Sequence, residues 1–146
     1  MTHILYVCVH NAGRSQMAEA LTNHLAAERG LAVRAESAGT VAGERINPVA
    51  ADVMAEIGVP IDGHHPKQIT QEMVARAARI ITMGCGVDAE ACPARFLVTE
   101  DWGLDDPAGR PADEVRAIRD QIARRVDEML DQIEASGRAG AQENLP

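Results

Sequence analysis

At 146 residues with 46% hydrophobic content, the chain is long enough for one domain with a sizeable core and too short for two ordinary ones. A formal charge of -8 and a pI near 5.0 exclude nucleic-acid backbone binding as its main activity, because such binders gather Lys and Arg on one face. No run approaches the roughly 18 continuous apolar residues of a spanning helix, and Met1-Thr2-His3 leads into a strand-like run without a basic leader, so the expected location is the cytoplasm, away from membranes.

His3-Ile4-Leu5-Tyr6-Val7-Cys8-Val9 is a nearly continuous apolar run, as in a strand buried on both faces of a parallel sheet. After a loop containing Gly13, Met17, Leu21 and Leu25 recur at fourfold spacing and predict an amphipathic helix from Ser15 to near Gly30. Leu31 to Ser37 reads as a second strand. Asn47-Pro48 supplies a cap and a first-turn proline for a helix through Val53, Met54 and Ile57 to Gly58, and a short helix is expected over Thr70 to Ala77. Arg79 to Met83 and Arg95 to Val98 read as short strands, separated by a Gly84-to-Pro93 segment that carries two cysteines.

The last helix is predicted to begin near Pro111, with Asp113 and Glu114 in its first turn and a stripe of Val115, Ile118, Ile122, Val126, Met129 and Ile133. The expected domain covers residues 1–136, and 137–146 is expected to be a flexible tail. Alternating strands and helices predict a single-domain α/β fold, an open parallel sheet of about four strands with helices on both faces. Ligands of such sheets bind at the C-terminal strand ends, where Cys8 lies.

Three cysteines cannot all pair internally, and disulfide frameworks belong to oxidising compartments, so Cys8, Cys85 and Cys92 are expected reduced at rest. A thiol beside a helix N-terminus is favoured as thiolate. The backbone N–H groups of Val9, His10, Asn11, Ala12, Gly13, Arg14 and Ser15, curling into the helix, form a nest for a phosphate-like anion; Arg14 adds a planar fork of donors and Ser15 a hydroxyl for the sulfur. Alone, Cys8 reads as a buried hydrophobe, Arg14 as a surface charge and Ser15 as a cap; their spacing favours a site.

Cys8, five residues, Arg14 and Ser15 after a first strand resemble the anion loop of low-molecular-weight protein tyrosine phosphatases. Val7 through Ala20, the pair Cys85 and Cys92, and Asp101-Trp102-Gly103-Leu104-Asp105-Asp106-Pro107-Ala108 are more similar to the arsenate reductases of that fold, over Ile4 to about Ile133. The resemblance implies that arsenate, with phosphate or sulfate as mimics, binds the loop and that Cys8 attacks arsenic while Asp106 acts as general acid. Cys85 then attacks Cys8, Cys92 attacks Cys85, and thioredoxin reduces the resulting disulfide. It implies no tightly bound cofactor and no metal; the expected form is a monomer. Such a relay requires motion of the Gly84-to-Pro93 segment.

Some of these reductases bind a monovalent cation through positions matching Asn11, Glu19 and His65 to Lys67. Here the expected carboxylate is Lys67, the only lysine of the chain, which stands either as a cation substitute beside Glu19 or as a solvated loop residue. A turn-capping role for Asp106, and Asp105 as the acid, are the alternatives at that position. Cys85 and Cys92 are too far apart for the usual zinc pairing, and the adjacent His64-His65 reads as a loop pair. The rival function is a tyrosine phosphatase using Cys8, Arg14 and Asp106, which usually carries an aromatic where Ala108 stands. A single-thiol donor fits poorly with two further cysteines, and a non-catalytic anion sensor would keep Arg14 and the nest but would not need three cysteines.

Overall fold

The computed structural model describes residues 1–84 and 100–143. The elements are β1 (Thr2–Cys8), α1 (Arg14–Glu28), β2 (Val33–Gly39), α2 (Pro48–Glu56), α3 (Gln71–Arg76), β3 (Arg79–Thr82), β4 (Glu100–Asp101) and α4 (Ala112–Glu143). All strand pairings are parallel, in the order β2-β1-β3-β4. The apolar run of β1 therefore lies between two strands, and its side chains alternate between the sheet's faces. Ile4, Tyr6 and Cys8 join the larger core with α1, α2 and α4; Leu5 and Val7 join the smaller one beneath α3. The open α/β sheet and its helical flanks are as the alternation of elements predicts.

Local chemistry accounts for most boundaries. Asn47 Oδ1 accepts from the N–H groups of Val49 and Ala50, with Pro48 in the first turn of α2. Thr70 caps α3 through Met73 N. At the end of α1, Leu31 N donates to Ala26 O and Gly30 N to Ala27 O, a paired closure that draws Leu31 into the helix terminus. The second strand consequently starts at Val33, two residues later than expected, and runs to Gly39.

Two further expectations shift. The N-terminal half of α1 is buried nearly all round, including Arg14, Ser15, Gln16, Glu19 and Thr22, so it is not the simple amphipathic helix of the Met17-Leu21-Leu25 pattern. Val115, Ile118, Ile122, Val126 and Met129 are buried in α4 and Ile133 packs against them, but the helix continues past residue 136 to Glu143. The strand expected over 95–98 lies outside the described residues; the fourth strand among those described is Glu100–Asp101. No helix among the described residues is long and apolar enough to cross a membrane.

Candidate active site

Cys8 is the last residue of β1 and α1 begins at Arg14, so the loop between them lies at the C-terminal edge of the central strand. A cavity of about 520 Å³ opens there, lined by Cys8, Val9, His10, Ala12, Gly13 and Arg14 on one side and Leu104 to Ala108 on the other, with Asn47 and Gly84 at its rim. Asn47 N donates to Ala12 O at 2.8 Å, which ties the start of α2 to the loop. Of the expected oxyanion residues, Asn11 and Ser15 stand behind the cavity wall, fully buried.

Those two residues act on the sulfur. Asn11 N donates to Cys8 Sγ at 3.2 Å, and Ser15 Oγ lies 2.8 Å from it. The direction of the Ser15 bond follows from its neighbours. Lys67 N can only donate, so Asn11 Oδ1, 2.8 Å away, accepts, and Asn11 Nδ2 is the donor to Ser15 Oγ at 2.8 Å. Ser15 thus accepts from Asn11 and turns its own hydrogen to Cys8. Two donors converge on the sulfur, an arrangement that favours thiolate. Asn11 holds this position with φ +55, a left-handed conformation Asn tolerates better than most residues. Ser15 does not cap α1: the cap position is Gly13, without a side-chain bond.

Behind the loop the network continues. Gln16 Nε2 donates to Asn11 Oδ1 and His65 O, and Gln16 Oε1 accepts from His64 Nδ1 at 3.0 Å. Glu19, largely buried, accepts from Lys67 Nζ at 3.1 Å and Ser37 Oγ at 3.1 Å, and His64 Nδ1 lies 3.3 Å from its other oxygen. The Lys67 ammonium therefore pairs with the Glu19 carboxylate from a side chain that is 38% exposed. Both histidines belong to the wall behind the anion loop, one through its ring and the other through its carbonyl. Gln16 is a residue that the sequence reading missed; its signal was a polar residue in a helical turn that is otherwise apolar or site-forming.

Arg14 crosses the cavity floor. Its Nη1 donates to Met83 O (3.1 Å) and Leu104 O (2.6 Å), and its Nη2 lies 4.0 Å from Asp106 Oδ2. With both Nη1 hydrogens engaged, Nε and Nη2 remain to meet an anion. The two sides differ in wetting: the Arg14 side chain is 7% exposed and that of Asp106 65%. A desolvated guanidinium suits charge stabilisation, and an exposed carboxyl exchanges protons with water. Asp106 Oδ1 also accepts from Ala108 N at 3.0 Å, a turn-capping bond, while Oδ2 faces Arg14. Asp105 lines the same cavity. Cys85, Cys92 and the expected motion of the segment holding them lie outside the described residues.

The family model for low molecular weight phosphotyrosine protein phosphatase matches residues 3–139. An arsenate reductase of Staphylococcus aureus is 32% identical over 121 residues, covering 82% of this chain and 88% of that protein. A solved arsenate reductase in its phosphate-binding state is 30% identical with a TM-score of 0.77, over 91% of this chain and 99% of the other. A thioredoxin-dependent arsenate reductase of Corynebacterium glutamicum is 34% identical with a TM-score of 0.73; the match covers 93% of this chain and 63% of that one.

Proposed function

The chain belongs to the low molecular weight phosphotyrosine protein phosphatase family, and within it we propose that this protein reduces arsenate to arsenite with thioredoxin as the reductant. The observation that carries the reading is the sulfur of Cys8, at the edge of an anion-sized loop, receiving hydrogen from Asn11 N and Ser15 Oγ. Similarity to arsenate reductases supports the choice of substrate.

In the proposed reaction the loop N–H groups and Arg14 take the arsenate oxygens, and Cys8 Sγ forms a bond to arsenic. One As–O bond breaks; Asp106 protonates the departing oxygen, which leaves as water, and arsenic remains As(V). The Cys85 thiolate attacks Cys8 Sγ: the S–S bond forms as the S–As bond breaks, its electron pair stays on arsenic, and As(III) leaves as arsenite. Cys92 then attacks Cys85 Sγ, freeing the Cys8 thiolate and leaving a Cys85–Cys92 disulfide. The dithiol of thioredoxin returns the two electrons.

The working form is a cytoplasmic monomer with no resident cofactor. Lys67 stands in for a monovalent cation beside Glu19, and its 3.1 Å ion pair supports that role. The shared loop also gives weak phosphatase activity, without the aromatic after Pro107 that tyrosine phosphatases use. The test is NADPH consumption with arsenate, thioredoxin and thioredoxin reductase. Wild type turns over, and Cys8→Ser, Cys85→Ser and Cys92→Ser each abolish turnover. A wild type inactive on arsenate, with phosphatase activity surviving loss of Cys85 and Cys92, would establish the phosphatase reading instead.

A further inference from the structure

The anchors of Arg14 are backbone carbonyls, and these are held in place by a residue outside the cavity lining. β3 and β4 end side by side, with Thr82 opposite Asp101 in register. Beyond them the chains remain in contact: Trp102 N donates to Thr82 O at 2.9 Å and Leu104 N to Met83 O at 3.1 Å. Asp101 Oδ1 bridges this junction, accepting from Thr82 Oγ1 at 2.8 Å and from Gly84 N at 2.7 Å. Met83 thus lies between two residues gripped by one carboxylate oxygen.

The junction is also tight. Gly84 has φ +79, and a Cβ there would lie 2.7 Å from Gly103 Cα and from Leu104 N. Met83 O and Leu104 O, the two acceptors of Arg14 Nη1, occur on the two sides of this close approach. A shift of the Gly84 peptide would move Met83 O relative to Leu104 O and so turn the guanidinium plane. That plane decides whether Nε and Nη2 present a fork to two anion oxygens.

We infer that Asp101 is a positioning residue for Arg14, acting through the Thr82 and Gly84 bonds to set the guanidinium for oxyanion capture. The inference rests on the oxyanion role of the Cys8–Ser15 loop and not on arsenate as the reducible substrate. A carbonyl oxygen would serve in place of the carboxylate, because both donors are neutral and each needs only an acceptor. Asp101→Asn therefore retains the function and Asp101→Ala loses it.

The experiment uses the full chain with Cys85→Ser and Cys92→Ser, leaving Cys8 as its single thiol, and inorganic phosphate as the probe. Phosphate affinity is read from protection of Cys8 against iodoacetamide. Asp101→Ala weakens phosphate about tenfold, as loss of the acceptor shared by Thr82 Oγ1 and Gly84 N predicts, while alkylation without phosphate changes by less than about twofold because the Ser15 and Asn11 bonds are untouched. Asp101→Asn stays within about twofold of the parent. In an Arg14→Lys background Asp101→Ala adds less than about twofold, the non-additivity expected of a residue that acts through Arg14.

Thr82→Val removes one donor, keeps the carboxylate, and weakens phosphate about threefold; it carries the test if Asp101→Ala fails to fold. Unchanged phosphate affinity in both Asp101→Ala and Thr82→Val would overturn the inference. So would a loss fully additive with Arg14→Lys, or a parallel fall in unprotected alkylation, which would mark general damage. Failure of phosphate and arsenate to protect the parent thiol would instead overturn the oxyanion site itself, and this inference with it.

Discussion

Gly13→Ala tests how the anion loop and the acid loop are fitted to each other. A Cβ built on Gly13 falls 2.8 Å from Pro107 Cγ. Carbon atoms settle at roughly 3.5–4.0 Å, so the two loops must separate by about 1 Å. Pro107 cannot swing away as a flexible side chain does; ring pucker supplies only part of that movement, and the remainder shifts the backbone joined to Asp106. An acid displaced by about 1 Å costs on the order of 100-fold in rate, with an overpacking penalty of about 1–3 kcal/mol in stability. The assay is steady-state kcat/KM for arsenate in the thioredoxin-coupled system, beside alkylation of Cys8 by iodoacetamide. Turnover falls by about one to two orders of magnitude while alkylation changes little, and the loss shrinks in a Pro107→Ala background where the clashing carbon is gone. Turnover of Gly13→Ala within twofold of wild type would refute the idea that this contact positions the acid.

Three other outcomes follow from the same geometry. Asp106→Asn slows the arsenate step by about 100-fold or more, as removal of a general acid does, and Asp105→Asn has a much smaller effect; equal effects in single-turnover measurements would remove the assignment. Ser15→Ala deprives Cys8 Sγ of its 2.8 Å partner and slows alkylation at neutral pH by about tenfold, a value set by the worth of a hydrogen bond to a charged acceptor. The Arg76 side chain holds the Glu36 carboxyl below its ordinary range through hydrogen bonding first and charge second, at an Nε-to-Oε2 distance of 2.6 Å. A lowered acid contributes stability that is full above the unfolded carboxyl value, about 4.3, and fades as pH falls through the lower folded value. The denaturation midpoints of wild type and Arg76→Ala therefore differ at pH 6 and converge toward pH 3; a gap that persisted in acid would refute the pairing.

What the sequence makes legible here is governed by local patterns. The apolar run of β1, the Asn47-Pro48 start of α2 and the stripe of α4 each follow from short-range chemistry, and each is present in the structure. The loop from Cys8 to Ser15 is legible for the same reason, since its residues are contiguous in sequence. The anchors of Arg14 are not legible. Met83 and Leu104 contribute backbone carbonyls, 69 and 90 residues away, and a carbonyl leaves no signature in the residue's identity. Gln16 likewise reads as the solvent side of an amphipathic helix until the His64–Lys67 loop covers it. Tertiary cover decides which face of α1 is wet, and a helical period cannot report it.

The support of the sulfur has a polarity that explains why so many polar groups are buried behind one thiol. The Lys67 backbone N–H cannot reverse, so it fixes Asn11 Oδ1 as an acceptor; Asn11 Nδ2 must then donate to Ser15, and the Ser15 hydrogen is turned to Cys8. Gln16 strengthens the same direction by donating to Asn11 Oδ1, and His64 holds Gln16 in that orientation through Oε1. Every member is satisfied, which is the condition under which a buried polar network rigidifies a site rather than weakening the core. The chain of donors ends on an atom that gains most by carrying negative charge. Lys67 contributes at both ends of this arrangement, its N–H setting the polarity and its ammonium pairing with Glu19, so the backbone contribution survives substitution of its side chain. Lys67→Met therefore leaves the donor chain to Cys8 in place while removing the Glu19 partner. If Lys67 stands in for a cation, activity lost in that variant returns with added potassium, whereas wild-type activity is insensitive to it. Potassium stimulation of the wild type, or loss in Lys67→Met that no monovalent cation restores, would leave the ion pair as a structural contact only.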